Sequence, residues 1–508
     1  MAMNNISFVK GKGGLGRPLA GKDYISGLLF YTNTLPSGFS ATNRIQQIFS
    51  VADAVALGIG KNYADETQAS GVYTISGTGA TGDSITIKFL EPENQTVVLG
   101  TYVKLSTDTT VLLIATGVVN AINAGTNTHG YSATVGALGA FTIKARKGLG
   151  IYANTAGLLT ATISGTIAGS LTTPFTGGVA SLQATWYYHI SEFFRISPKG
   201  FLWLNFQAVP ASYTYAEIQD FQLFTNGAMR QIGVFVDSKA LAVSDTTSIQ
   251  GVCNLLDALK MPLSVIYAGN IQAVTNISTL TDLATYSNNK VSIVVGQDGA
   301  GQGNAIWYAT GKSVTTLGAT LGAVSLSSVS ENIGWVGKFD MSSGVELDTI
   351  AFANGVKFSD ASVTSNLLDA IDLKRYIFLR KFPNKSGSYH NDSHTVTSPS
   401  NDYAFIENNR VIDKAIRGVD EALTPSLNSP ILLNANGTMA NSTVAFLTGQ
   451  ATVITDAMVR DSEASAISVT IDPNQPVAST SKVVVAINIV PIGVARNIVV
   501  NIGFKTSL

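Results

Sequence analysis

Several short runs in the middle of the chain are apolar almost without interruption, and they constrain the fold more than any other feature. ISGLLFY (25–31), IGVFV (232–236), MPLSVIY (261–267) and VSIVV (291–295) show no polar–apolar alternation. A strand with one face in water alternates; a strand apolar along its length is covered on both faces. The stretches between them carry apolar residues at helical spacing, as in Ile249, Val252, Cys253, Leu256 and Leu259, or Val314, Leu317, Leu321 and Val324,. This alternation, from about Trp186 to Arg380, predicts an α/β unit with its sheet between two helical layers,. The same spacing predicts a helix over 42–57, from Ile45, Ile48, Phe49, Ala52, Val55 and Ala56, and another over 280–286,.

Residues 71–180 read differently. They are rich in Gly, Thr, Ser and Ala, with nine charges among 110 residues. Short alternating segments (VYTIS, SITIKF, AFTIK) are separated by Gly-rich turns, which predicts an inserted, mostly-β domain with a helix near 111–124,. After residue 386 the pattern turns helical over 404–423 and 442–460, then gives strands at 466–471, 482–489 and 495–504. The last places Ile498, Val500, Ile502 and Phe504 on one face,. Such a strand is a sticky edge unless another strand, from the chain or a neighbour, pairs with it.

Charge narrows the function. The chain has 508 residues, 13% of them charged, with 32 basic and 33 acidic side chains and a net charge of −1. That balance argues against a general nucleic-acid binder, which needs a basic surface. Mean hydropathy is +0.24, yet no run approaches the ~20 apolar residues of a membrane span, and the start lacks a secretory signal's apolar core,. A nearly neutral, charge-poor surface suits a chain that hides much of it against other chains. Cys253, the only cysteine, permits no disulfide within the chain and reads as a core thiol,.

The motifs that suggest chemistry are each incomplete. Gly11, Gly13 and Gly16 match G-x-G-x-x-G, but Pro18 and Gly21 stand where the dinucleotide-binding helix should begin, so a hinge is the better reading,. Gly311-Lys-Ser313 lacks the upstream glycine of a phosphate loop, since Ile306 holds that position,. Gly296 to Gly303 follows an apolar strand and is the remaining place for a nucleotide,. His390 and His394, with Asp392 and Asp402 nearby, lack a convincing third metal ligand,. The reading is therefore a non-enzyme with no catalytic, metal or cofactor residues.

YHNDSHT (389–395), NDYAFIENNRVIDKAIR (401–417) and the paired C-terminal strands resemble contractile tail sheath proteins of phages, injection systems and type VI secretion. ISFVKGKGGLGRPLAGKDYISGLLFY (6–31) and YYHISEFFRISPKG (187–200) resemble a Bacteroidetes-associated branch of that family. The resemblance implies a structural subunit that polymerises around an inner tube and contracts to drive it through a target envelope. It implies a mixed α/β chain in four parts: an N-terminal arm (1–20), an α/β middle domain (21–70 and 186–385), an outer mostly-β insertion (71–185), and a sheath core with a C-terminal arm (386–508). The N-terminal arm would carry Ile6, Phe8 and Val9, hinged at Gly11, Gly13, Gly14 and Gly16; Ile498, Val500, Ile502 and Phe504 would form the C-terminal strand. Tube contact would fall at Met458, Arg460, Asp461 and Glu463. Implied partners are further copies of the chain, the inner tube protein, and baseplate and tail-terminator or cap proteins, without nucleic acid or membrane insertion. The implied location is the bacterial cytoplasm, a virion tail or a released particle. Two alternatives stay open: another self-assembling shell of capsid or surface-layer type, and a nucleotide-binding α/β enzyme.

Overall fold

The computed structural model describes residues 22–504. Its centre is a six-stranded sheet in the order Val291–Val294, Ser264–Ala268, Gln231–Phe235, Ile25–Tyr31, Phe201–Gln207, Ile45–Ile48. The first five strands are mutually parallel; the last is antiparallel. Every residue of Ile25–Tyr31 is buried, because both faces of this central strand are covered. Leu28, Phe30, Leu204 and Phe235 point into one core, together with Trp186 and Phe193. Leu29, Tyr31, Val234 and Tyr267 point into the other, with Phe221, Ile249 and Leu256. Side chains alternate between the faces, and each face meets a helical layer, so both parities of the strand are largely apolar, and Ser26 accepts a hydrogen bond from Gln231,.

Helix Leu317–Leu326 is buried on all sides except at its last residue. It lies against helix Leu182–Ile196 at a separation only glycine permits: a Cβ at Gly318 would stand 2.1 Å from the His189 carbonyl oxygen. His189 itself is wholly buried, 4.7 Å from Phe235 by ring centroids, and neither ring nitrogen has a hydrogen-bond partner among the described residues.

Residues 70–176 carry a four-stranded and a three-stranded antiparallel sheet, with helix Val111–Ala124 packed on them. Their core is separate from the main one and includes Tyr73, Ile87, Phe89, Val118, Ile122 and Phe141. Thr110 starts the helix by accepting from the Leu113 N–H, which satisfies one of the donors every helix start leaves open. Glu93 fastens this part to the rest, accepting from Lys357 at 2.6 Å, Asn304 at 3.0 Å and Tyr308 at 3.1 Å.

Three expectations are corrected. The helix over 42–57 is instead the strand Ile45–Ile48 followed by the short helix Val51–Ala56. Pairing with Leu202–Asn205 gives the first half a ladder of main-chain hydrogen bonds that helical spacing alone does not foresee. Ser50 then caps the helix by accepting from the Asp53 N–H. Over 280–286 only the turn Leu283–Thr285 forms, capped by Asp282. The strand expected over 495–504 finds no partner within the described residues, where pairing ends at Val490. Among the described residues no helix is long and apolar enough to cross a membrane.

Burial of uncharged histidines makes stability depend on pH. Desolvation lowers His189 to about 3 and His390 to about 4, against ~6.5 for an ordinary histidine. Between these values each histidine is more protonated in the unfolded chain than in the folded one, so its contribution to stability falls as pH drops below ~6.5, against a smaller opposite contribution from Glu346, which burial raises to about 7. The urea midpoint is expected to decline from pH 6.5 to pH 4, with a shallower slope in His189→Phe; an unchanged slope would refute the assignment.

Candidate assembly surface

Helix Ile406–Leu423 joins the C-terminal part to the sheet, and it does so with charge. Its sequence IENNRVIDKAIRGVDEAL repeats charged residues at 407, 410, 413, 414 and 417, a spacing that keeps them on one side of a helix. The structure turns that side inward. Arg410 donates to Ser327 Oγ at 2.7 Å and to the Ser328 carbonyl at 3.1 Å. Asp413 pairs with Lys290 at the start of a sheet strand, and both are buried. Lys414 donates to Asp23 at 2.7 Å and also pairs with Glu463. Arg417 donates to the Pro262 carbonyl at 3.1 Å. Burial opposes the charge on Lys414, but Asp23 and Glu463 hold it above the ordinary lysine range.

Above this helix lie helix Asn441–Arg460 and the hairpin of Ala466–Thr470 with Ala486–Val490. Only Leu447, Ala451, Thr455 and Met458 of the 20-residue helix are buried. Within the hairpin Ile487 and Ile489 are only half-buried, since a groove of about 400 Å³ opens beside them. Ile412, Ile416, Val419, Leu423, Leu427, Ile487 and Ile489 line it. The hairpin forms a two-stranded sheet, so both its outer edges lack a strand partner within the described residues. The chain then continues through Pro491 to Phe504 without strand pairing. Ile498, Val500, Ile502 and Phe504 are 75% or more exposed, and Val499 on the opposite parity is 83% exposed. Neither face of this segment is covered by the described residues.

The remaining candidate residues fall in different places. Ile6, Phe8, Val9, Gly11, Gly13, Gly14 and Gly16 lie outside the described residues. Met458 is in a small core with Val329, Val411 and Ala415, and Glu463 is engaged by Lys414. Arg460 and Asp461 are exposed, 3.5 Å from one another. Sequence reasoning missed the inward charges of the helix, although their spacing in a charge-poor chain was a signal.

Residues singled out for chemistry have structural partners. Gly296–Asp298 is a strand paired with Ile350–Phe352. At the start of the following helix, Asp298 accepts from the Gly301 and Gly303 N–H groups and Glu346 from that of Gln302. Carboxylates thus occupy the place a phosphate would need. Lys312 follows the end of that helix and pairs with Asp237 at 2.9 Å. His390 bonds to Thr320, whereas His394 bonds to Asp372, each at 3.0 Å. Cys253 is buried, and burial pushes its thiol well up.

Residues 52–394 match the DUF2586 N-terminal domain and residues 402–508 the DUF2586 C-terminal domain. The chain belongs to the DUF2586 family. No curated protein matches it. Among solved structures it is similar to the helical sheath of the anti-feeding prophage in the contracted state, at 14% identity and a TM-score of 0.45, over 63% of this chain and 82% of that one. It is also similar to the PVC sheath complex of an extracellular contractile injection system in the contracted state, at 12% identity and a TM-score of 0.42, over 63% and 81%. A third is the contracted anti-feeding prophage baseplate, at 14% identity and a TM-score of 0.41, over 64% and 85%.

The DUF2586 helix at 406–423 should depend on its buried pairs. Lys290→Met leaves Asp413 buried and unpaired, with an expected loss of about 3–5 kcal/mol in urea unfolding. Adding Asp413→Leu should recover most of it; no recovery would mean the pair acts through something other than charge.

Proposed function

We propose that this chain is the structural subunit of a contractile tail sheath. The observation that carries the reading is the uncovered apolar segment 497–504 next to a two-stranded hairpin that has free edges and an open apolar groove. The sheath-like segments at 6–31, 187–200, 389–395 and 401–417 support it. The C-terminal segment of one copy would add to the hairpin edge of the next, with its alternate side chains in the groove, and the N-terminal arm would contribute a further strand. Main-chain hydrogen bonds supply such pairing, and alternate side chains supply its register.

On this reading the rigid α/β bodies form a polymer around an inner tube, with baseplate and terminator or cap proteins at its ends. It would stand in the bacterial cytoplasm, in a virion tail or in a released particle. The insertion faces outward. Contraction is mechanical: bodies rotate into tighter packing and bury more apolar surface while the arms hold the lattice together. Tube contact narrows to Arg460 and Asp461, whose side chains are exposed.

Negative-stain images of the purified chain should show tubes of constant diameter. Closed particles or flat lattices would overturn the proposal. Deleting residues 1–16 or 497–508 should leave a folded chain that no longer forms tubes; normal tubes from either deletion would remove that arm from the scheme. Arg460→Glu should impair assembly on the tube protein without affecting folding, as judged by co-sedimentation.

A further inference from the structure

We infer that helix Ile406–Leu423 clamps the roots of both terminal arms through charge pairs, so that the two arms leave the subunit from one rigid element. The inference deepens the sheath reading and rests on it for the role of the arms; the charge pairs themselves do not.

The C-terminal root is Arg496. Its Nε donates to Asp392 at 2.8 Å and its Nη2 to Glu407 at 2.6 Å. Its guanidinium lies 3.4 Å from the centre of the Phe405 ring. Asp392 is 9% exposed and Glu407 only 2%. Asn332 donates to both carboxylates and Ser393 to that of Glu407. Two carboxylates so poorly hydrated and so close together need a cation. Arg375 reaches the same ring at 4.7 Å, but it donates to the Ala404 carbonyl. The two direct ion pairs therefore come from Arg496. Immediately beyond it, residues 497–504 are exposed.

The N-terminal root is Asp23, just before the central strand Ile25–Tyr31. Lys414 donates to its carboxylate at 2.7 Å. Its carbonyl accepts from Gln231 at 3.0 Å and from Arg410 at 3.5 Å. Glu407, Arg410 and Lys414 are three and four residues apart, one above the other on the helix. One face of one helix thus grips Arg496 and Asp23.

This arrangement fixes where each arm begins. With Arg496 seated, the free C-terminal segment starts at residue 497. Without it, the last anchors are Val490 in the hairpin and the Pro491 carbonyl, which accepts from Ser465 Oγ at 2.9 Å, and the arm becomes longer by about 17 Å at ~3.3 Å per residue. A longer arm reaches a neighbour with less defined geometry, and a pull on it no longer passes through the helix to Asp23.

The test uses the full chain, in which Cys253 is buried and an introduced cysteine is the accessible thiol. Nitroxide labels are placed at Val494→Cys or Ile502→Cys, with and without Arg496→Gln, in dispersed protein. The label at 494 should be restricted when Arg496 is present and become as mobile as that at 502 in Arg496→Gln; Asp392→Asn should do the same and replaces that variant if it does not fold. A label at 494 that stays restricted in both variants overturns the C-terminal clamp. In polymerisation assays Arg496→Gln and Asp23→Asn should each raise the critical concentration about tenfold, through lost preorganisation. Their combined effect should be non-additive; additive effects overturn the shared clamp. If the unsubstituted chain forms no polymer at all, the sheath reading fails, and the label at 494 still decides the C-terminal half of the clamp.

Discussion

The structure depends on one helix that buries charge. Ile406–Leu423 has Glu407, Arg410 and Asp413 all 3% exposed or less. Buried charge without a partner is costly, so the position of this helix is fixed wherever its partners are. Those partners come from distant parts of the chain: Asp23 before the first strand, Lys290 at a sheet edge, Ser327 and Ser328 after the buried helix, Glu463 before the hairpin and Arg496 in the tail. Apolar packing alone would hold the helix to the sheet but would tolerate sliding. The charge pairs specify a single register, and with it the position of the hairpin and the groove.

That use of charge sharpens what the composition means. The chain has only 13% charged residues, and several of them are turned inward: Asp298, Lys290, Arg375, Glu407, Arg410 and Asp413. The surface is therefore poorer in charge than the sequence suggests. Over 70–176 the solvated face is carried largely by hydroxyl side chains, as in the Thr86–Thr101 and Thr74–Thr172 pairs across strands. In the C-terminal part, by contrast, apolar side chains stand open at the groove and along 497–504. The first surface also exposes single apolar side chains such as Leu105 and Leu138; the second is completed by another chain in the reading proposed here.

Legibility varied with the range of the interactions. Helices Val111–Ala124, Ile406–Leu423 and Asn441–Arg460 were clear from spacing, because a helix makes its hydrogen bonds within its own segment,. Residues 42–57 were misread because Ile45–Ile48 is a strand only by virtue of pairing with residues about 157 positions away. The apolar candidates at 498–504 were readable as a strand in need of a partner, but not as a segment left uncovered. Of the tube candidates, Met458 and Glu463 could not be sorted from Arg460 and Asp461, since which side of a helix end faces inward is a property of the packing.

The amino-acid sequence by itself determined the α/β class, the both-faces-buried sheet and the apolar C-terminal run. These follow from local periodicity and composition, which each segment carries alone. Only the tertiary structure decided the strand order, the antiparallel edge, the inward charges of helix Ile406–Leu423, and the place of Arg496 between Asp392 and Glu407. The physical reason is that a charged residue reads the same in sequence whether it meets water or a buried partner. The difference is set by which distant groups the fold brings within hydrogen-bond reach.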